Sequence, residues 1–388
     1  MRRAGLLLHP SSLPSPYGIG DIGPAARTLM SWLDSAGVHL WQFLPLGPVD
    51  GLGCPYASPS AFATEPLLIS IDDLVSDGWL SRNERPLHPG GVDAVDWPAV
   101  RERKMPVLRR AAARVAQQVD LDAWASERPW AVAWSTWAAR SRRDGGDWPS
   151  WSRTAEPPDP EHVQQELALQ WLFDGQWARL REVARSHGVS LWGDLPMFVG
   201  ASSVDTWAHP ELFSLGPDQR PTVVTGAPPD DFAPLGQKWG HAQFDVEAHR
   251  RTGHAWWLAR VGRLLEHVDA VRLDHFRGLA AVWHIPATDP DARGGKWVPG
   301  LGAPLLAAIQ ESFGHVPVIA EDLGVVTPDV VALRDQFERE GDAGVLKVGK
   351  CDDADFDVGR FYSVPGWWVE RDGWWESSVA LSDAAVAK

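Results

Sequence analysis

Short apolar runs alternate along this chain with longer stretches in which apolar residues recur at helical spacing, the pattern of an α/β protein. Residues 5–8 and 39–46 read as two buried strands, and residues 25–33, between them, carry apolar positions on one helical face. From about residue 67 to 187 the pattern is mainly helical, most clearly over 101–119 and 161–186, with Trp- and Pro-rich connections. Strand logic resumes at 189–196, is followed by a long polar loop and a helix over 251–265, and returns at 268–274. A helix over 303–313, a strand over 316–320 and a helix over 328–337 complete the readable pattern. The expected organisation is a first barrel part (1–66), a helical inserted subdomain (67–187), the rest of the barrel with its substrate loops (188–340) and a divergent C-terminal segment (341–388).

The chemistry gathers where the strands end. In an extended segment successive side chains alternate, so Arg272 and Asp274 share one face while Val271 and Leu273 take the other. A guanidinium two residues from a carboxylate favours the ionised form, as a nucleophilic carboxylate requires. A partner acid is then expected elsewhere, and Glu321 supplies one at the end of its own short strand, before Gly324. Either stretch alone reads more readily as a strand capped by a surface acid. Four strand–helix units, however, each place an acid or polar cluster at the strand's C-terminal end, the face where (β/α)8 barrels build their sites.

Composition narrows the ligand. The 388 residues carry a formal charge of −15 and no basic run, which disfavours nucleic acid and leaves a neutral ligand. Cys54 and Cys351 form no disulfide framework and lack zinc-type spacing, so a reduced, cytoplasmic setting is expected, with no metal and no cofactor. The start has basic residues before too short an apolar run for an export signal, and no run is long enough to span a membrane. Tryptophan stands out at 23 residues against 3 Tyr and 12 Phe. Sugar rings stack on indole, although at least half of these side chains are expected in the core.

Several long motifs together resemble one family, the amylomaltases or 4-α-glucanotransferases. They are Leu8-His9-Pro10-Ser11-Ser12-Leu13-Pro14 with Tyr17-Gly18-Ile19-Gly20-Asp21, Pro55-Tyr56-Ala57-Ser58, Gly193-Asp194-Leu195-Pro196 and Trp207-Ala208-His209-Pro210-Glu211. Residues 220–229, 271–278 and 319–328 continue the likeness. The resemblance implies a (β/α)8 TIM-type barrel with inserted subdomains and an enzyme that transfers α-1,4-glucan segments between maltooligosaccharides by a retaining double displacement. It implies Asp274 as nucleophile, Glu321 as acid/base and Arg272 as the group that orients and ionises the nucleophile. Tyr56, Asp194, Asp230, Trp239 and His275 would line the sugar subsites.

The sequence departs from that family at its end. The Thr-His-Asp-Asn-Asp motif, whose first Asp grips the transferred sugar, is absent, and an ungapped match puts Trp367 there, with Glu370 and Asp372 as possible substitutes. Trp283-His284-Ile285-Pro286 replaces the family's Trp-Glu-Ile-Pro, Ala280 replaces a usual acid and Pro299 a usual Lys. The barrel is therefore expected to be incomplete at its C-terminal end and turnover to be impaired. The alternative is a silent or redirected homologue that binds α-glucans or transfers to another acceptor or to water.

Overall fold

A computed structural model of the chain describes residues 4–51, 53–86, 94–151, 156–314, 316–321, 327–339, 345–347, 366–371 and 374–378, those beyond 337 by backbone only. The first barrel strand, β1 (Ala4–Leu7), is followed by α1 (Pro24–Ser35) and β2 (Leu40–Gln42). Five helices then intervene before β3: α2 (Ile71–Ser76), α3 (Trp97–Gln118), α4 (Leu121–Ser126), α5 (Pro129–Asp144) and α6 (Pro160–Ser186). Their starts are written locally: Asp96, Asp120 and Asp159 each cap a helix by accepting a main-chain N–H, and Pro sits in the first turn of α3, α5 and α6.

Helix α6 ties the helical region to the sheet. Buried Gln170 accepts from Thr64 N at 2.8 Å and donates to Thr64 O at 3.0 Å; Gln176 does the same with Ser70, at 2.7 and 3.0 Å. Each amide thus satisfies both polar groups of a buried main-chain segment that would otherwise be orphaned. Further along, Trp177 Nε1 donates to His267 O at 2.9 Å.

After β3 (Ser190–Leu195) come α7 (Val204–Ala208), β4 (Val223–Ala227), β5 (Gln237–Ala242), α8 (Val246–Arg251), α9 (Ala255–Leu265) and β6 (Ala270–Leu273). The chain continues through α10 (Arg277–Ala280), β7 (Ala281–Pro286), β8 (Lys296–Pro299), α11 (Gly302–Phe313), β9 (Val318–Ala320), α12 (Pro328–Arg339), β10 (Val345–Lys347), β11 (Gly366–Arg371) and β12 (Trp374–Ser378). Six strands form a parallel run in the order β1-β2-β3-β6-β9-β10. The sheet then continues from β1 through β11 and β12, both joined antiparallel. Among the described residues no ladder joins β12 to β10, although their Cα traces come within 8 Å.

A second sheet, antiparallel and ordered β5-β4-β7-β8, occupies what the sequence pattern had left as a long polar loop and the segment after the Asp274 strand. It joins two strand pairs, β4–β5 and β7–β8, that are separated in sequence by β6, and β5 has an exposed start at Gln237 and Lys238, so no local alternation announces it.

Among the described residues, nine of the 23 tryptophans are buried in the packing. Trp41, Trp134, Trp137, Trp148, Trp151, Trp177, Trp192, Trp256 and Trp257 are all buried. They join hydrophobic clusters, one of which gathers Trp134, Trp137, Trp148 and Trp151 around Ala63 and Val204.

Candidate active site

The register of the parallel strands builds the site. Asp194 on β3 pairs with Arg272 on β6, and Arg272 pairs with Ile319 on β9. Paired residues on neighbouring strands point to the same side. Leu40, Trp192, Ala270 and Ile319, the last paired with Arg272 itself, form a small apolar cluster on that side, while Val271 and Leu273 enter the main core on the other. Gly193 faces the helices, where a Cβ would meet Val268 at 2.7 Å, and this close approach turns its neighbour Asp194 inward. One step beyond the ladder, Asp274 N donates to Leu195 O at 3.0 Å and Glu321 N to Leu273 O at 3.1 Å, which brings the two acids level at the strand ends.

One guanidinium holds them together. Arg272 Nη1 donates to both oxygens of Asp194, at 2.7 and 2.8 Å, and to Asp274 Oδ1 at 2.9 Å; Nη2 lies 3.0 Å from Glu321 Oε1. Tyr56 Oη donates to Asp194 Oδ2 at 2.6 Å, and His275 N donates to Glu321 Oε2 at 2.5 Å. His275 reaches that position with φ +52, a left-handed conformation that its non-glycine side chain adopts at a cost. The carboxyls of Asp274 and Glu321 lie within hydrogen-bonding reach of each other.

Arg272 contacts Asp274 and also serves two further acids, so a single positive charge is shared by buried Asp194 and partly buried Asp274 and Glu321, which disfavours ionising all three. Burial and the neighbouring Glu321 charge push Asp274 well above the usual carboxylate range. Burial also pushes Glu321 up, but the Arg272 charge and the His275 N–H outweigh it and hold this acid low. Burial raises Asp194 as well, against Arg272 and Tyr56. In the free site the facing carboxyls of Asp274 and Glu321 therefore hold a proton between them. Tyr56 is held neutral, chiefly by burial and then by the Asp194 charge.

An aromatic wall flanks the acids. The Trp239 ring meets the His275 ring edge-on at 5.0 Å, and Phe198 lies 6.0 Å from His275 and 6.3 Å from Trp239. Phe198 and His241 belong to this wall and escaped the sequence reading. His241 lies two residues after Trp239, with the two rings 6.5 Å apart.

Of the remaining sequence-predicted residues, Asp230 lies on an exposed turn after β4, where Oδ1 accepts from Phe232 N at 2.9 Å and Ala233 N at 2.6 Å. The structure does not bring it to the carboxylates. Glu370 lies on β11, one residue past Val369, which pairs with Ala4 at the start of β1. That is the opposite end of the sheet from the strand ends that carry Asp194 and Asp274. Asp372 lies outside the described residues, and Trp367 is described by backbone only, paired with Leu6. Among the described residues no group of three or more His, Cys, Asp or Glu is arranged to hold a metal ion.

Paired carboxyls at the C-terminal ends of parallel strands, with an aromatic wall beside them, define a class: a TIM-barrel enzyme of the retaining glycoside hydrolase type. A profile of the 4-alpha-glucanotransferase family matches residues 8–358, and the chain belongs to that family. The Thermus thermophilus 4-alpha-glucanotransferase is 40% identical over 364 residues, covering 88% of this chain and 71% of the relative. The chloroplastic/amyloplastic 4-alpha-glucanotransferase of Solanum tuberosum is 38% identical over 380 residues, 91% of this chain and 65% of that one. The chain thus spans about two thirds of the length of these relatives. Among solved structures, an amylomaltase from Streptococcus agalactiae in complex with acarbose superimposes with a TM-score of 0.81 at 30% identity, over 86% of this chain and 72% of that one. Among the described residues no helix is long and apolar enough to cross a membrane.

Proposed function

We propose that the chain transfers α-1,4-glucan segments between maltooligosaccharides by retaining double displacement, with Asp274 as nucleophile and Glu321 as general acid and then base. The observation that carries this is the contact of Asp274 and Glu321 across one arginine: two carboxyls far inside the ~8 Å of an inverting pair, sharing one proton. In the first step Asp274 attacks the anomeric carbon, the glycosidic bond breaks and its oxygen takes the proton of Glu321. In the second, Glu321 takes the proton of an acceptor hydroxyl, which displaces Asp274 with a second inversion.

The productive state has that proton on Glu321 and leaves Asp274 ionised, and the two carboxyls are already within reach of each other. A glycosidic oxygen seated beside Glu321 accepts a hydrogen bond only from the protonated acid, so the substrate itself favours that placement. Asp194, held by Tyr56 and Arg272, fixes the guanidinium; Trp239 and His275 offer ring faces and edges for the sugar. The acarbose complex of the Streptococcus agalactiae amylomaltase supports an α-glucan ligand. The proposed setting is cytoplasmic, and the proposed inserted subdomain is the helical stretch between β2 and β3.

Incubation with maltotriose followed by chromatography tests the reading. A ladder of longer and shorter maltooligosaccharides is expected. Glucose with no longer products would redirect the chemistry to water, and an unchanged peak would point to a silent binder.

A further inference from the structure

Arg260 is a buried cation that takes no part in the chemistry above. It lies on α9 with only 3% of its surface exposed, its guanidinium flanked by the rings of Trp256 and Trp257 at 5.4 and 5.0 Å. Burial lowers its pKa only to about 10, so the group is charged at neutral pH. Nε and Nη1 are buried and have no hydrogen-bond partner. Indole rings attract a cation, yet they offer its N–H groups no lone pair. The acid whose charge bears on Arg260 is Asp205, but Asp205 Oδ2 accepts from Ala61 N at 2.9 Å. Among the described residues no carboxylate forms an ion pair with Arg260.

Arg260 forms part of the wall of a cavity of about 70 Å³ that also touches Tyr56, Phe62, Asp194, Arg263 and His267. The other charged groups of this wall are already matched. Arg263 holds Asp174 at 2.7 and 3.0 Å and Glu266 at 2.7 Å, and His267 Nε2 lies 3.3 Å from Asp174. Asp194 is taken by Arg272 and Tyr56. Of these groups Arg260 alone leaves its charge unanswered, and a buried charge without a partner is strongly destabilising. The cavity exceeds twice the ~30 Å³ that one water occupies in the liquid and is far below the roughly 300 Å³ at which small-molecule sites begin. It suits a halide-sized ion accompanied by a water and excludes a sugar ring.

We propose that this cavity binds a small monovalent anion of chloride size, which acts as the counterion of Arg260. The site stands apart from the transferase reading, because neither Asp274 nor Glu321 lines the cavity.

Thermal unfolding of the full chain in sodium gluconate, with chloride substituted at constant ionic strength, tests the proposal. Gluconate is too large for the cavity. Chloride should raise the melting temperature saturably, by about 2 °C at ten times its apparent Kd. In Arg260→Met, which keeps the length of the stem and removes the charge, chloride should have no effect. An absent or unsaturable response in the parent, or an equal response in Arg260→Met, would overturn the proposal. Crystals of the parent soaked in bromide give an independent reading: an anomalous peak is expected within about 3.5 Å of a guanidinium nitrogen of Arg260. Water alone at that position, or bromide bound only elsewhere, contradicts the site. If Arg260→Met does not fold, the bromide result on the parent decides.

Discussion

Replacing Arg272 by Lys isolates what the fork geometry contributes, because the positive charge is kept. In the parent, Nη1 serves Asp194 and Asp274 while Nη2, the other tine, lies 3.0 Å from Glu321. A single ammonium nitrogen cannot occupy both positions, so at least one charge-assisted contact is lost. Such a contact contributes about 1.5–3 kcal/mol. At about 1.4 kcal/mol per tenfold, kcat/KM should fall roughly 10- to 150-fold. Most of the loss should be in kcat, since the outer sugar contacts do not involve Arg272. The assay is the initial rate of maltotriose disproportionation across a substrate series, with thermal unfolding as a control for the fold. A variant within threefold of the parent would mean that Arg272 acts only as a charge, and the argument from its fork would fail.

Three further outcomes are expected. Glu321→Gln should reduce maltotriose transfer by about 10³-fold, within the range of lost general acid catalysis, but reduce consumption of α-maltosyl fluoride much less, since fluoride leaves without a proton; equal losses on both substrates would exclude Glu321 as the acid. Tyr56→Phe removes a hydrogen bond to a charged group and should cost about 10- to 100-fold in kcat/KM with little change in melting temperature, and an effect confined to KM would contradict its role beside Asp194. Asp205 is a stability test: burial raises its carboxyl from 3.8 to about 6, so its favourable contribution is complete below about pH 4 and is lost as pH rises through about 6. That difference is about 3 kcal/mol at about 1.4 kcal/mol per pH unit, so Asp205→Asn should raise the melting temperature at pH 8 and change it little at pH 4; a shift equal at both pH values would refute the assignment.

The central site was legible in the sequence because it depends on strand alternation and on strand ends. Arg272 and Asp274 share a face through their spacing of two, and the structure adds Asp194 opposite Arg272 through the β3–β6 register. What the sequence did not show was the sharing of Arg272 by three acids, since one carboxylate near an arginine looks the same whether or not others converge on it. The His275 N–H that meets Glu321 is a main-chain contact with no sequence signature. The antiparallel sheet of β4, β5, β7 and β8 was likewise hidden: β4 pairs with β7 across an intervening barrel strand, and short, half-exposed segments such as Lys296–Pro299 carry no clear period. Trp239 shows how an aromatic excess divides, with one indole at the site while Trp41, Trp177 and Trp257 fill the core.

The most direct test of the account is to trap the intermediate. Glu321→Gln, incubated with α-maltosyl fluoride, can be glycosylated but lacks the base that activates an acceptor, so a covalent maltosyl-enzyme should accumulate. Peptide mass spectrometry should then find the added disaccharide on Asp274. The adduct on a different carboxylate, or none at all while the parent enzyme disproportionates maltotriose, would contradict the claim that Asp274 is the nucleophile of a retaining transferase.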